Sequence, residues 1–261
     1  VDFGSLLDDS FAYAKEGVWE RWTRWMLLIV SMLIFPLILG YMVRIYRGEK
    51  PAPEPGKWLA LFIDGLKLLL VQIIYLLPVI LLVILAFIPL ISTLVTSGVL
   101  SQDFSSMSDS QFEQWLDSHP GLITELLFTG GFMIILLMVA IIMAIIITLF
   151  SFLGIVRFAR TRSISEAFNF SAIRAHIGRI GWVNYIFALI TITVVGFIFS
   201  MILNFFSFIP VIGIFIEFLV MGILYVPFIL FSARFSALVY DIGEETSPQV
   251  SDKTGESTIN L

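Results

Sequence analysis

The chain has 261 residues, 59% of them hydrophobic and 13% charged, with a net charge of −5. Soluble domains carry about 25% charged residues, so this composition cannot cover a water-exposed surface and lipid must act as part of the solvent. The acidic balance excludes nucleic acid as a partner, because phosphates need a basic face, and zero cysteines exclude disulfides, thiolate chemistry and cysteine-held metals.

The expected fold is an all-α polytopic transmembrane bundle with interfacial amphipathic helices on its cytoplasmic side. It forms one integral membrane domain over residues 1–240, with a disordered cytoplasmic tail at 241–261. Val1-Asp2-Phe3 has no basic n-region, so no cleavable signal peptide is expected. Residues 3–24 predict an interfacial helix, since Leu7, Phe11, Ala14, Val18, Trp22 and Trp25 recur at spacings of three or four. Glu20 and Arg24 are spaced to pair along it. Trp19, Trp22 and Trp25 suit the headgroup level, so the helix is expected to lie along the membrane surface.

Residues 25–43 are uncharged but broken by Pro36 and Gly40. They form either a re-entrant hairpin or a single crossing. Basic residues flank both ends (Lys15, Arg21, Arg24; Arg44, Arg47, Lys50), which favours the hairpin and four full crossings. A single crossing makes five and puts the N-terminus outside. Pro51, Pro53 and Pro55 predict a stiff, extended linker. A second interfacial helix, 56–67, then runs into a span over 68–96 that is expected to be kinked by Pro78 and Pro89.

Residues 97–124 contain Asp103, Asp109, Glu113 and Asp117 and no Lys or Arg, which marks the external loop. A short helix is expected within it, with Asp109 as N-cap. The span over 125–156 contains the uncharged run Leu126–Val156, about 46 Å long at the helical rise against a hydrocarbon core of about 30 Å. It closes on Arg157, Arg160 and Arg162, which identify the cytoplasmic end. Ser163-Ile164-Ser165-Glu166 matches a capping box, predicting an interfacial helix over 163–180 with Ala167, Phe170, Ile173, Ile177 and Ile180 as its apolar positions. Spans over 182–206 and 212–240 follow, joined by a tight turn at Ser207–Val211. The unit of interfacial helix followed by hydrophobic helix recurs three times at low stringency.

Few polar groups fall inside these spans. Glu217 is the foremost, because an intramembrane carboxylate is a functional hypothesis by default, as a proton relay, cation site or substrate contact. The plainer reading is a protonated or hydrogen-bonded group holding helices together. Asn204 and Glu125 are expected at a similar depth, as its partners. Arg234 lies about 25 Å further along the same helix and is expected to snorkel or to meet Asp241. Gln72 and Asn184 are read as interhelical glue. Arg157, Arg160, Arg162, Arg174 and Arg179 either bind anionic headgroups or only set topology. His119 and His176 are too far apart in sequence to suggest a metal centre. No catalytic residues, metal site or cofactor are expected, and phosphate loops, nucleophile elbows and zinc motifs are absent.

Several stretches are similar to an archaeal, methanogen-rich family of polytopic membrane proteins of unknown function. They are Ser10-Phe11-Ala12-Tyr13-Ala14-Lys15, Pro36 with Gly40-Tyr41, Trp58 with Asp64-Gly65-Leu66, Tyr75-Leu76-Leu77-Pro78, and Ala167-Phe168-Asn169-Phe170 through Gly181-Trp182-Val183-Asn184-Tyr185. The resemblance covers about Phe3 to Asp241. The layout more distantly resembles the membrane domain of glycerophosphodiester phosphodiesterases. It implies an architecture and no activity. The expected function is therefore that of a non-enzymatic, membrane-organising or lipid-contacting protein of the cytoplasmic membrane. Its partners would be membrane lipids, with a second copy of the chain left open. The alternative is a small transporter or channel subunit using Glu217 and Asn204.

Overall fold

The computed structural model describes residues 1–205 and 213–246, with side chains omitted at 213–219 and at 221. The turn expected at Ser207–Val211 and tail residues 247–261 lie outside the described residues, as does the side chain of Glu217. Among the described residues the regular structure is entirely helical. Helices α1 (Phe3–Val18), α2 (Trp22–Leu33) and α3 (Phe35–Tyr46) are followed by the long α4 (Trp58–Thr96). Then come α5 (Asp109–Asp117), α6 (Leu122–Thr161), α7 (Phe170–Ile180), α8 (Trp182–Phe205) and α9 (Gly213–Glu245). Four helices are long and apolar enough to cross a membrane: α4, α6, α8 and, in α9, Gly222–Glu245.

Two compact units share the long helices: residues 1–69 with 152–261, and residues 70–151. In the second unit, apolar side chains such as Ile73, Leu77, Leu81, Leu85, Phe128, Ile135 and Ile142 are exposed, as expected where lipid takes the place of water. α4 stays one continuous helix through Pro78 and Pro89. Near the segment that joins the two long helices, the Thr93 hydroxyl donates to Glu125 Oε1 at 3.0 Å. The connecting segment carries α5, capped by Ser108 in a reciprocal capping box with Gln111, so the N-cap is one residue earlier than the expected Asp109. Phe104 meets Trp115 edge-on at 5.1 Å, and Trp115 lies 4.4 Å from His119.

The first unit is organised around α9, which contacts α1, α2, α3, α7 and α8. Its candidate span has the lowest mean hydropathy of the four, 1.7, and is 56% buried in protein, against 6% for α6. Val226, Leu230, Ala233, Phe235, Ala237 and Val239 are buried along it. α9 runs through Tyr240 to Glu245, so the tail expected from Asp241 begins as helix.

Three other expectations change. The helix expected over 3–24 ends at Val18, because Glu20 sits at φ +60° and α2 starts afresh at Trp22. The buried face of α1 is Ser10, Tyr13, Ala14, Gly17 and Val18, while Phe11 is 67% exposed. Periodicity placed one apolar stripe correctly at Ala14 and Val18, but α9 covers a face rotated toward the small residues. The break in 25–43 falls at Ile34, leaving two helices of 12 residues each. Each reaches about 18 Å, too short for a ~30 Å core.

α3 crosses the start of α4 at two glycines. A Cβ on Gly40 would lie 1.8 Å from the Leu61 carbonyl oxygen, and one on Gly65 would lie 1.7 Å from that of Pro36. The helix expected from Ser163 starts instead at Phe170. Residues Ser165–Phe168 form a 3-10 turn, and Asn169 caps α7 by accepting from the Ala172 amide. The capping box fails because the Glu166 carboxylate is taken by Arg157.

Candidate functional site

The charged residues of the first unit gather where its helices end, and most are tied to specific partners. Arg47 Nη2 lies 2.8 Å from Asp64 Oδ2, and its Nε donates to the Ala159 carbonyl at 3.2 Å. Arg157 holds Glu166, its Nε donating at 2.8 Å. Arg160 holds Asp241 at 2.5 Å. Arg179 donates to the Gly243 carbonyl and to His176 Nδ1, each at 2.8 Å. Arg24 does not pair with Glu20, as its spacing suggested. It is buried and bonded through Nη2 to Glu54, with its Nε and Nη1 making no hydrogen bond among the described residues.

Arg234 departs furthest from expectation. It neither snorkels nor meets Asp241: it is 7% exposed, and its Nε donates to Asp9 Oδ1 of α1 at 2.8 Å. The Tyr13 ring lies 5.4 Å from its guanidinium carbon. Asp9 also takes Lys50 at 2.8 Å. These bonds, that to Arg234 foremost, hold the Asp9 carboxyl below its ordinary range, as Arg24 does for Glu54 and Arg157 for Glu166.

The proline-rich linker is pinned through its carbonyls. Tyr13 donates to Glu49 at 3.0 Å, Tyr41 to Pro53 at 2.8 Å, and Arg44 to Glu54 and Gly56 at 3.2 and 2.9 Å. Sequence reading missed Asp9 and Asp64, since a polar residue on an amphipathic helix is ordinarily assigned to water, and Tyr13, Tyr41 and Glu54, whose partners lie on other segments. No pattern along the chain pairs them with those partners.

Among the described residues, the intramembrane candidates Asn204, Asn184, Glu125 and Gln72 do not pair with one another. Asn204 turns its amide back to the Ser200 carbonyl at 2.7 Å. Asn184 donates to the Ile180 carbonyl at 3.1 Å across the α7–α8 junction rather than to a distant helix. Glu125 accepts from Thr93, and Gln72 is half-buried without a hydrogen-bond partner among the described residues. Among the described residues no group of three or more His, Asp or Glu is placed to hold a metal ion.

Residues 25–208 match the family described as Protein of unknown function (DUF4013). The chain belongs to this family. No curated protein and no solved structure matches it. The DUF4013 segment holds most of α2 and all of α3 to α8, together with Arg47, Asp64, Arg157, Arg160 and Glu166, whereas Asp9, Arg234 and the central helix α9 fall outside it.

One buried group of the DUF4013 segment, His176, is placed to respond to pH. His176 stacks on Tyr240 with ring centroids 4.0 Å apart, and its Nε2 lies 2.8 Å from the Tyr240 carbonyl oxygen. Arg179 donates to Nδ1, so Nε2 carries the proton and donates. Burial lowers the His176 pKa below 6.5, with the Tyr240 bond opposing that shift and the Arg179 charge adding to it. The sign follows from the neutral ring being favoured in the folded state. Its stabilisation is complete above the ordinary histidine value and is lost as pH falls from there through the lower folded value. The thermal unfolding temperature in detergent is therefore expected to decline from about pH 6.5 downward, before carboxylates such as Asp9 protonate. A His176→Gln variant should lose that first decline.

Proposed function

We propose that this DUF4013 protein is a non-enzymatic, lipid-contacting component of the cytoplasmic membrane, with the charged end of its first unit toward the cytoplasm. One observation supports this reading. Of the five arginines that close α6 and line α7, Arg157, Arg160 and Arg179 are occupied by protein partners, while Arg162 and Arg174 have none among the described residues. Occupied arginines secure helix ends; unoccupied ones near a membrane surface attract anionic lipid, by about 1 kcal/mol each. The positive-inside bias puts them on the leaflet that carries such lipid. An archaeal source and the distant likeness to the membrane domain of glycerophosphodiester phosphodiesterases belong to this reading, as does assembly with a second copy of the chain.

Spin-labelled lipids in reconstituted vesicles provide the test. Anionic label should be enriched at the protein over zwitterionic label, and the preference should fall about fivefold for each of Arg162→Gln and Arg174→Gln. It should weaken with salt and survive Glu217→Gln. Equal enrichment of both labels would remove the lipid-contacting reading. Ion or solute flux through the same vesicles that disappears in Glu217→Gln would establish the transporter alternative.

A further inference from the structure

A small cavity lies where α3, α4 and α6 meet within the first unit, lined by Arg47, Asp64, Lys67, Phe158 and Arg162, with a volume of about 220 Å³. Phe158 is fully buried, and Arg47 is held by Asp64 and by the Ala159 carbonyl. Lys67 and Arg162 have no ion-pair or hydrogen-bond partner among the described residues. Three cations therefore face one carboxylate. Two larger depressions in the same unit are balanced. One of about 440 Å³ sets Arg44, Arg47 and Lys57 against Glu49, Glu54 and Asp64. The other, of about 660 Å³, sets Lys15 and Arg21 against Glu16 and Glu20. Only the smallest of the three keeps an excess of positive charge.

Its position suits a membrane ligand. Lys67 directly precedes the uncharged run of α4 that starts at Leu68, and Phe158 and Arg162 follow the end of the α6 run at Val156. The cavity therefore sits where both helices pass from hydrocarbon to water. Its volume is below the ~300–1,000 Å³ of pockets that enclose whole small molecules, and fits one headgroup oxyanion with its hydration. Arg162 directly follows α6, which ends at Thr161, and takes φ +59°.

We propose that Arg47, Lys67 and Arg162 form a binding site for a phosphate oxyanion, supplied by the headgroup of an anionic phospholipid. The proposal rests on the lipid-contacting reading and narrows it to one place. Arg47 supplies a donor already oriented by Asp64, while Lys67 and Arg162 supply the uncompensated charge. Charge-assisted bonds of this kind are the strong ones.

The test measures thermal protection of the purified full chain in detergent by short-chain phosphatidylglycerol, by short-chain phosphatidylcholine and by inorganic phosphate. Phosphatidylglycerol should protect the wild type at concentrations where phosphatidylcholine does not. In Lys67→Gln/Arg162→Gln its apparent affinity should fall about ten- to a hundredfold, whereas Arg174→Gln should lower it by no more than about fivefold. Both positions lack partners, so neutralising them leaves no orphaned charge, and Lys67→Arg/Arg162→Lys should restore binding if the loss is one of charge. Protection that is lost in Arg174→Gln and unchanged in the Lys67/Arg162 double variant would overturn the site and leave the general reading standing. No preference for anionic lipid in any form would overturn both. Equal protection by inorganic phosphate, lost in the same double variant, would keep the oxyanion site and overturn lipid as its source.

Discussion

Gly40→Val and Gly65→Val are each expected to unfold the α3–α4 crossing and leave little folded protein in detergent. A Cβ at either position falls under 2 Å from a carbonyl oxygen of the opposing helix. An obstructing side chain can rotate aside, and such overpacking costs about 1–3 kcal/mol. Here the obstacle is backbone in both directions, so α3 and α4 must separate, and the loss should exceed that range. The crossing carries Arg47 and Asp64 on its two helices, so their ion pair would go with it. The alanine variants are the sharper test. In an unobstructed helix, alanine in place of glycine stabilises by roughly 0.5–1 kcal/mol. Gly178, with nothing within 4 Å of its would-be Cβ, should show that gain. Gly40→Ala and Gly65→Ala should instead lower the melting temperature; a rise in either would mean that the helices do not cross there.

Asp9→Ala should be the most damaging single change to the charge network. It strands Arg234, which is buried against Tyr13 and donates to Asp9. Breaking a fully buried pair costs about 3–5 kcal/mol. Asp9 is itself about a third exposed, so water offsets part of that and the expected loss is roughly 2–3 kcal/mol. The reverse removal, Arg234→Met, should cost less, because Asp9 keeps Lys50 at 2.8 Å. The double variant Asp9→Leu/Arg234→Met should recover most of the stability, since a well-packed apolar pair often replaces a buried ion pair without loss. Thermal unfolding around this double-mutant cycle measures the coupling. Limited proteolysis adds a local readout: in Asp9→Ala, α1 should be cut before the rest of the first unit, since this bond ties it to α9.

Both predictions concern features that no pattern within a single helix discloses. Gly40 reads as a helix break and Gly65 only as part of a family resemblance, yet each meets the backbone of the opposing helix. Asp9 reads as part of a solvated face, and its partner lies 225 residues away. Phe11 has the spacing of a core residue and is exposed, whereas Ser10 beside it is fully buried, its hydroxyl satisfied by the Leu6 carbonyl at 2.6 Å. Apolar periodicity shows that a helix has two kinds of face. It does not distinguish a face covered by lipid from one covered by protein, because both environments reward the same side chains.

The chain's order of apolar and charged residues was enough to determine an all-helical membrane protein, the four long helices α4, α6, α8 and α9, and the break inside residues 25–43. The length of an uncharged run and the interruption made by a proline are properties of the chain in one dimension. Tertiary structure alone decided that α9 is the helix the others pack around, that α1 and α7 rest on it, and that Arg24, Arg157, Arg160 and Arg234 each have a particular partner. It also decided which cations remain unpaired. A guanidinium pairs with whichever carboxylate the packing brings within about 3 Å, and that distance is set only when helices far apart in sequence meet.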